Sequence, residues 1–290
     1  MAPSLGALPP GGSGSADDGL PVPWSRMADT SIESTGSTAL AGLLSGDAIG
    51  SRTSSECGRL RTEVVLVPVG SCEQHGPHLP LDTDTRIAVA IAERVGAGMA
   101  GTTAGPVVTV APAITYGASG EHQSFAGTVS IGSDALKVVL IELGRSLADQ
   151  CRLLVFVNGH GGNLDALFAA TELLHYEGRP VLAWSPSFDG ASTDSHAGRI
   201  ETSLMLAISP HLVHTNRAVA GNSAPLESLL PTLRTRGVAA VSPNGVLGDP
   251  AGATADEGVV LLDVAISALT TAIRQALIAN THVIADEGLT

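Results

Sequence analysis

The sequence predicts an α/β protein built around a mainly parallel sheet. Three observations carry that expectation. From Val64 onward, short apolar runs ending in glycine-rich turns alternate with longer segments of helical period. The runs 64–69 and 153–157 are apolar throughout, as in strands covered on both faces. Strands alternating with helices of about ten residues or more mark βαβ units.

Taken in order, residues 1–35 are rich in Gly, Pro, Ser and Ala. Such a segment cannot bury enough apolar surface to offset its ordering entropy, so a flexible tail is expected there. Residues 36–290 are expected to form the folded domain, with one short helix at 37–44. The run 64–69 is the first strand, 85–97 a helix and 107–111 the second strand. A helix follows at 134–150 with Ser133 as its N-cap. Then come a strand at 153–157, a helix at 164–176, a strand at 180–184 and a helix at 200–207. A long helix at 255–279 closes the pattern. The stretch 221–252 reads as loop, with turns at 243–245 and 248–250.

Composition narrows the function. The chain has 290 residues, enough for one large domain or two small ones, with 44% hydrophobic and 15% charged residues. Aromatics are only 3%, so the core must rest on Val, Leu, Ile and Ala. Fifteen basic against 28 acidic residues leave a net charge of −13, which argues against a nucleic-acid partner. Three cysteines with no CxxC pair exclude a disulfide scaffold and fit a reducing, cytoplasmic setting. No apolar run approaches the ~18–20 residues of a membrane span, because Asp263 breaks the best stretch, 259–273. No membrane partner and no secretory leader are expected.

The chemistry concentrates in four segments. The first, 70–84, reads GSCEQHGPHLPLDTD and follows the first strand directly. Ligands of open α/β sheets gather at the carboxyl ends of strands. Glu73 and His75 are two apart, so in extended chain both side chains face one point, and Asp82 and Asp84 repeat the spacing. Carboxylate oxygens with imidazole nitrogens are a donor set for Zn, Mn or Fe. An ordinary polar turn explains a single loop histidine better than it explains Glu, two His and two Asp in so short a stretch. Cys72 alternates away from Glu73 and reads as packing.

The second segment, 158–163, is NGHGGN and places His160 in a glycine-rich turn after the strand 153–157. A nucleotide-binding loop is the rival reading. It lacks its third glycine, since residue 164 is leucine, and no GK[ST] follows. The third segment, 196–203, is HAGRIETS, with Glu201 in the first turn of an expected helix. Helix capping is the plain alternative for that carboxylate. The fourth, 116–128, contains Glu121 and His122 and alone would pass for an ordinary loop. Neither the GxSxG elbow of serine hydrolases nor the HExxH zinc helix occurs.

In combination, the segment 67–84, the NGHGGN turn and the HAGxxETS element resemble the creatininase (creatinine amidohydrolase) family. The resemblance spans about residues 64–258. It implies a three-layer α/β/α fold, a homo-oligomer and two divalent metal ions per subunit (Zn, Fe or Mn). By the same resemblance Glu73 and His75 go to different metals, Asp84 bridges them, and His160 is a further ligand. The family's carboxylate two residues after that histidine is absent, because Gly162 stands there. Glu201 is the residue nominated in its place, as ligand and catalytic group. His196 is expected to protonate the leaving nitrogen, and His122 to face the substrate. The stretches 117–123 and 242–250 are most similar to a branch whose members trim a modified precursor peptide, releasing its C-terminal Val-Tyr pair. Creatinine, another small cyclic amide or a formamide is the alternative substrate within the family.

Overall fold

The computed structural model describes residues 48–59, 62–100 and 106–287. The tail expected at 1–35 and the helix expected at 37–44 lie outside the described residues. Helix α1 (Ser54–Arg59) leads into strand β1 (Val64–Val69). Then follow α2 (Thr83–Ala100), β2 (Val108–Val110), α3 (Gly132–Ala148), β3 (Leu153–Asn158), α4 (Leu164–Tyr176) and β4 (Val181–Trp184). Helices α5 (Arg199–Ile208), α6 (Leu226–Arg236) and α7 (Ala255–Glu287) complete the element order.

The four strands form one sheet in the order β2-β1-β3-β4, and every pairing is parallel. Strands β1 and β3 are buried at each residue, which explains their uninterrupted apolar sequence. Alternation splits their side chains between two cores. Val64, Leu66, Val155 and Val157 pack with α2, α5 and α7. Val65, Val67, Leu154 and Phe156 pack with α3 and α4. Helices therefore cover both faces, and the three-layer α/β/α architecture stands. Pro68 tolerates its central position because β2 stops pairing at Leu66. On that side its carbonyl accepts the Ile114 N–H instead, where no ladder partner needs the missing donor.

The chain runs outward in opposite directions from the centre: β1 leads through α2 to β2, and β3 through α4 to β4. Val69 pairs with Asn158, so the two central strands end level and their following loops emerge side by side. This is the topological switch point where open α/β sheets place ligands.

Several local expectations are corrected. The stretch 221–252 contains helix α6, whose Leu229 and Leu233 pack on Val238 and Leu247. Ser133 lies inside α3 and not at its N-cap; the turn there is held by Ser130, whose hydroxyl accepts the Gly132 N–H. Within α7 the segment Ala255–Ala279 has the length and mean hydropathy, 1.5, of a membrane span. Leu262, Ala265, Leu269 and Ile273 of that helix are buried in the sheet core, while Val259, Val260, Val264 and Ile278 stand exposed. The three cysteines are free thiols.

Candidate active site and metal centre

Loops 70–82 and 159–163, the start of α2, the turn Gly120–His122 and the start of α5 meet at the switch point. They bring together seven of the residues singled out in the sequence: Glu73, His75, Asp84, His122, His160, His196 and Glu201. Asp84 holds the centre. Its Oδ1 is 3.0 Å from His75 Nε2, and its Oδ2 is 3.3 Å from His160 Nδ1 and accepts the Ser71 hydroxyl at 2.6 Å. Glu201 Oε2 lies 3.7 Å from His75 Nε2. Glu73 Oε2 is 3.2 Å from His160 Nε2, while its Oε1 is 3.6 Å from His122 Nε2 and 3.7 Å from His196 Nδ1. Asp82 is excluded. Helix α2 begins at Thr83, so the extended spacing fails, and Asp82 pairs with Arg86 at the surface.

The donor set fits divalent metal. Both Glu73 oxygens are fully buried yet accept no hydrogen bond, an arrangement that costs free energy unless a cation answers it. Glu73, Asp84 and His160 offer ligand atoms within 4.8 Å of one another, and so do His75, His196 and Glu201. Asp84 joins the two groups through its separate oxygens. A third such group, Glu73, His122 and His196, overlaps both.

Protons play the part of cations in the metal-free chain. Burial alone would lower the His75 pKa, but the Asp84 carboxylate outweighs it and raises the group to about 10. Burial likewise opposes protonation of His160, and Glu73 and Asp84 hold it well above the ordinary value. Asp84, against its burial, is pulled well below the usual carboxylate range by His75 and His160. The raised His75 pKa stabilises the metal-free fold fully below pH ~6.5, and that contribution is lost as pH rises through about 10. At pH 7, loading with Zn²⁺ or Mn²⁺ is expected to expel about two protons, and affinity should fall as pH falls. Calorimetry in buffers of different ionisation enthalpy measures this; a heat independent of buffer would contradict it.

Gln74 organises the two remaining histidines. His196 Nε2 lies 2.8 Å from the Gln74 carbonyl, an acceptor, so that nitrogen carries the proton. The Gln74 amide then donates to His122 Nδ1 at 2.8 Å and to the Gly245 carbonyl at 3.1 Å, while its Oε1 accepts the Gly76 N–H. His196 thus presents a bare Nδ1 to the site and His122 an Nε2–H. Burial first, then the neighbouring imidazoles, keep both rings neutral: His122 falls to about 3 and His196 well below its ordinary value. Burial raises Glu201 to about 7, with Asp84 adding to it against the pull of His75.

Local backbone fixes the third element. Ala197 adopts φ 53°, the left-handed region uncommon outside glycine. Its N–H donates to Glu201 Oε2 at 2.6 Å. The true side-chain cap of α5 is Asp194, which accepts the Arg199 and Ile200 N–H groups. Glu201 is therefore free to turn toward His75. His78 bonds Thr202 of α5 at 2.8 Å and takes a packing role.

The cluster opens into a cavity of about 920 Å³. At Gly162 a Cβ would overlap the Ala118 carbonyl, His160 Nε2 and Glu121 Oε1. Gly162→Ala is expected to displace His160 and lower activity about tenfold through weakened metal retention, measured as metal content beside turnover.

A carboxylate–imidazole cluster at the switch point of a parallel sheet is hydrolytic equipment. The turn 158–163 does not cradle phosphate: His160 fills it, with Glu73, Glu121 and Asp84 around the ring. Fold and site define a hydrolase built on a parallel sheet between two helical layers. The creatininase family profile, described as creatinine amidohydrolase, matches residues 51–273. The chain belongs to the creatininase family and is a hydrolase acting on C–N bonds. A mycofactocin precursor peptide peptidase from Mycobacterium ulcerans is 60% identical over 196 residues, covering 67% of this chain and 78% of the relative. A creatininase variant in its Zn-Zn form aligns with a TM-score of 0.65 at 26% identity, over 79% of this chain and 97% of that one. Creatininase in its Mn form aligns at 0.63 and 26%, over 80% and 98%.

Proposed function

We propose that this chain is a two-metal peptidase that cleaves the precursor peptide of mycofactocin and releases the modified C-terminal Val-Tyr pair. The observation that carries the metal part is the division of Asp84 between His75 and His160, beside a Glu73 carboxylate that has no hydrogen bond. The 60% identity to a named mycofactocin peptidase supports the substrate. Gly161 supports a substrate bulkier than creatinine, because it lines the cavity with open space where a side chain would stand. Glu73 and His160 would hold one metal, His75 and Glu201 the other, and Asp84 both. Zn, Fe and Mn all suit this oxygen and nitrogen set.

When bound, the metals supply hydroxide at neutral pH and polarise the scissile carbonyl. The protein's part is proton management. His196 Nδ1, bare and neutral, accepts the proton of the attacking water. It then delivers that proton to the leaving nitrogen, so its role as donor comes second. His122 Nε2–H offers a hydrogen bond to the carbonyl oxygen as charge gathers there. Leu226, Leu230 and Leu233, one face of α6, line the cavity and exclude water from the bond being broken. The same reading carries a cytoplasmic homo-oligomer, supported by Phe168 and Tyr176, 64% and 89% exposed on α4; sedimentation tests the oligomer.

The deciding experiment incubates purified, metal-quantified protein with the modified precursor peptide and, separately, with creatinine. Mass spectrometry should show release of the dipeptide, no turnover of creatinine, and arrest by a chelator. Full activity after metal removal, or turnover of creatinine alone, would overturn the proposal.

A further inference from the structure

We infer that Arg234 and Arg236 form a carboxylate-recognition subsite on the cavity wall, selecting substrates by an anionic group away from the scissile bond. The inference rests on the peptidase reading and adds a specificity determinant to it. Both arginines line the cavity that contains Asp84, Glu121, His196 and Glu201. Both are exposed, and neither makes a hydrogen bond or ion pair among the described residues. Arg86, Arg145, Arg179 and Arg199, by contrast, each grip a carboxylate. Arg59, Arg217 and Arg274 likewise grip no carboxylate among the described residues, but none of them lines the cavity.

Their placement is fixed. Helix α6 turns its leucines at 226, 230 and 233 into the cavity and ends with the two arginines on the same lining. Gly237 closes the helix with φ 74°, and its N–H bonds the Leu233 carbonyl. A Cβ at Gly237 would stand 2.7 Å from the Glu121 carbonyl oxygen, so the helix end is pressed against the turn that carries His122. Glu121 does not neutralise the arginines, because its Oε1 faces His160 at 3.6 Å. The two unpaired cations therefore stand at the end of α6 that meets the Glu121–His122 turn, and the apolar face of the helix leads away from it. That placement suits a peptide that sets a carboxylate on this wall, outside the acidic cluster. A guanidinium recognises a carboxylate by paired, charge-assisted hydrogen bonds. The carboxylate has two sources, the peptide's free C-terminus or an acidic side chain.

The plain alternative is that basic residues at a helix C-terminus only complement its dipole. The test compares metal-loaded wild type with Arg234→Gln, Arg236→Gln and both Arg→Lys variants on four peptides. These are the precursor, its C-terminal amide, a version with Asp and Glu changed to Asn and Gln, and the combination. Wild type should lose about tenfold in kcat/KM on removal of the carboxylate it reads, and the peptide that shows the loss identifies the source. The Gln variants should treat charged and neutral peptides alike, and the Lys variants should keep part of the ratio. Equal rates on all peptides for wild type, or an unchanged ratio in the Gln variants with only a lowered thermal midpoint, would overturn the inference. If wild type cleaves no peptide, the peptidase reading fails by itself. Fluorescence anisotropy of the four labelled peptides then reads the same ratio as Kd and decides the subsite.

Discussion

If the proposed two-metal centre is right, Asp84→Asn is expected to strip the protein of both metals and to lower kcat/KM at least about a thousandfold, equivalent to ~4 kcal/mol of transition-state stabilisation. The argument is geometric. The two oxygens of Asp84 face His75 and His160, at 3.0 and 3.3 Å, the imidazoles assigned to the two different metals of the proposed pair. Asparagine keeps the shape and the Ser71 contact but removes the charge that both groups share. Metal analysis on the purified variant checks the first part, and peptide hydrolysis the second. A variant retaining a full complement of metal would show that Asp84 is no bridge. The metal-free protein supplies an independent readout. Its depressed Asp84 contributes stability that is present above pH ~3.9 and lost as pH falls through the folded value. The asparagine variant cannot show that acid-dependent loss, so its unfolding midpoint should vary less between pH 5 and the acid limit. Part of any destabilisation will come from His75 and His160, left buried without their shared counter-charge.

Much of this was legible before folding, and the reasons are specific. Strands β1 and β3 declared themselves because burial on both faces demands apolar residues throughout. Helix α4 kept the expected boundaries, since its amphipathic period runs from the NGHGGN turn to the Glu177-Gly178 stop. Helix α6 did not, because Pro231 inside it reads as a breaker, although Leu226, Leu230 and Leu233 carry the helical spacing. Of the candidate site, Glu73, His75, Asp84, His122, His160, His196 and Glu201 converge, and Asp82 does not. What was missed is the groups that orient them. Gln74 sits between Glu73 and His75, and strict alternation would point it away. The loop is not a regular strand, so the Gln74 amide turns inward to donate to His122, 48 residues distant, while its backbone carbonyl accepts from His196, 122 residues distant. Asp194, six residues before Ile200, caps α5 and frees Glu201 for the centre. Such contacts depend on how separate loops meet, and no local spacing records them. The Arg234 and Arg236 pair was hidden for the same reason as α6 itself.

His196→Ala is expected to lower kcat about a hundredfold to ten-thousandfold while leaving bound metal in place. Three readings of His196 compete, and the structure separates them by the nitrogen each would use. A resting proton donor would need a protonated Nδ1, yet Nε2 already carries the proton to the Gln74 carbonyl, and burial with nearby imidazoles opposes a second one. A ligand would use the bare Nδ1 on metal and could not also take a proton from water. A general base uses that same lone pair for the proton and restores it when the leaving nitrogen is protonated. Metal content divides the last two, since loss of a metal in His196→Ala would assign the ring as a ligand. Because its pKa lies below the ordinary value, His196 remains a base into mildly acid solution. Activity in wild type should therefore persist below pH 6.5 and fall only as Nδ1 begins to be protonated. Gln74→Ala supplies the control on geometry. It removes the amide that bonds His122 and Gly245 but leaves the backbone carbonyl that fixes His196, so it should weaken the contribution of His122 while the acid limb of the profile stays in place. Movement of that limb in Gln74→Ala would mean that the side chain, and not the main chain, sets the tautomer of His196.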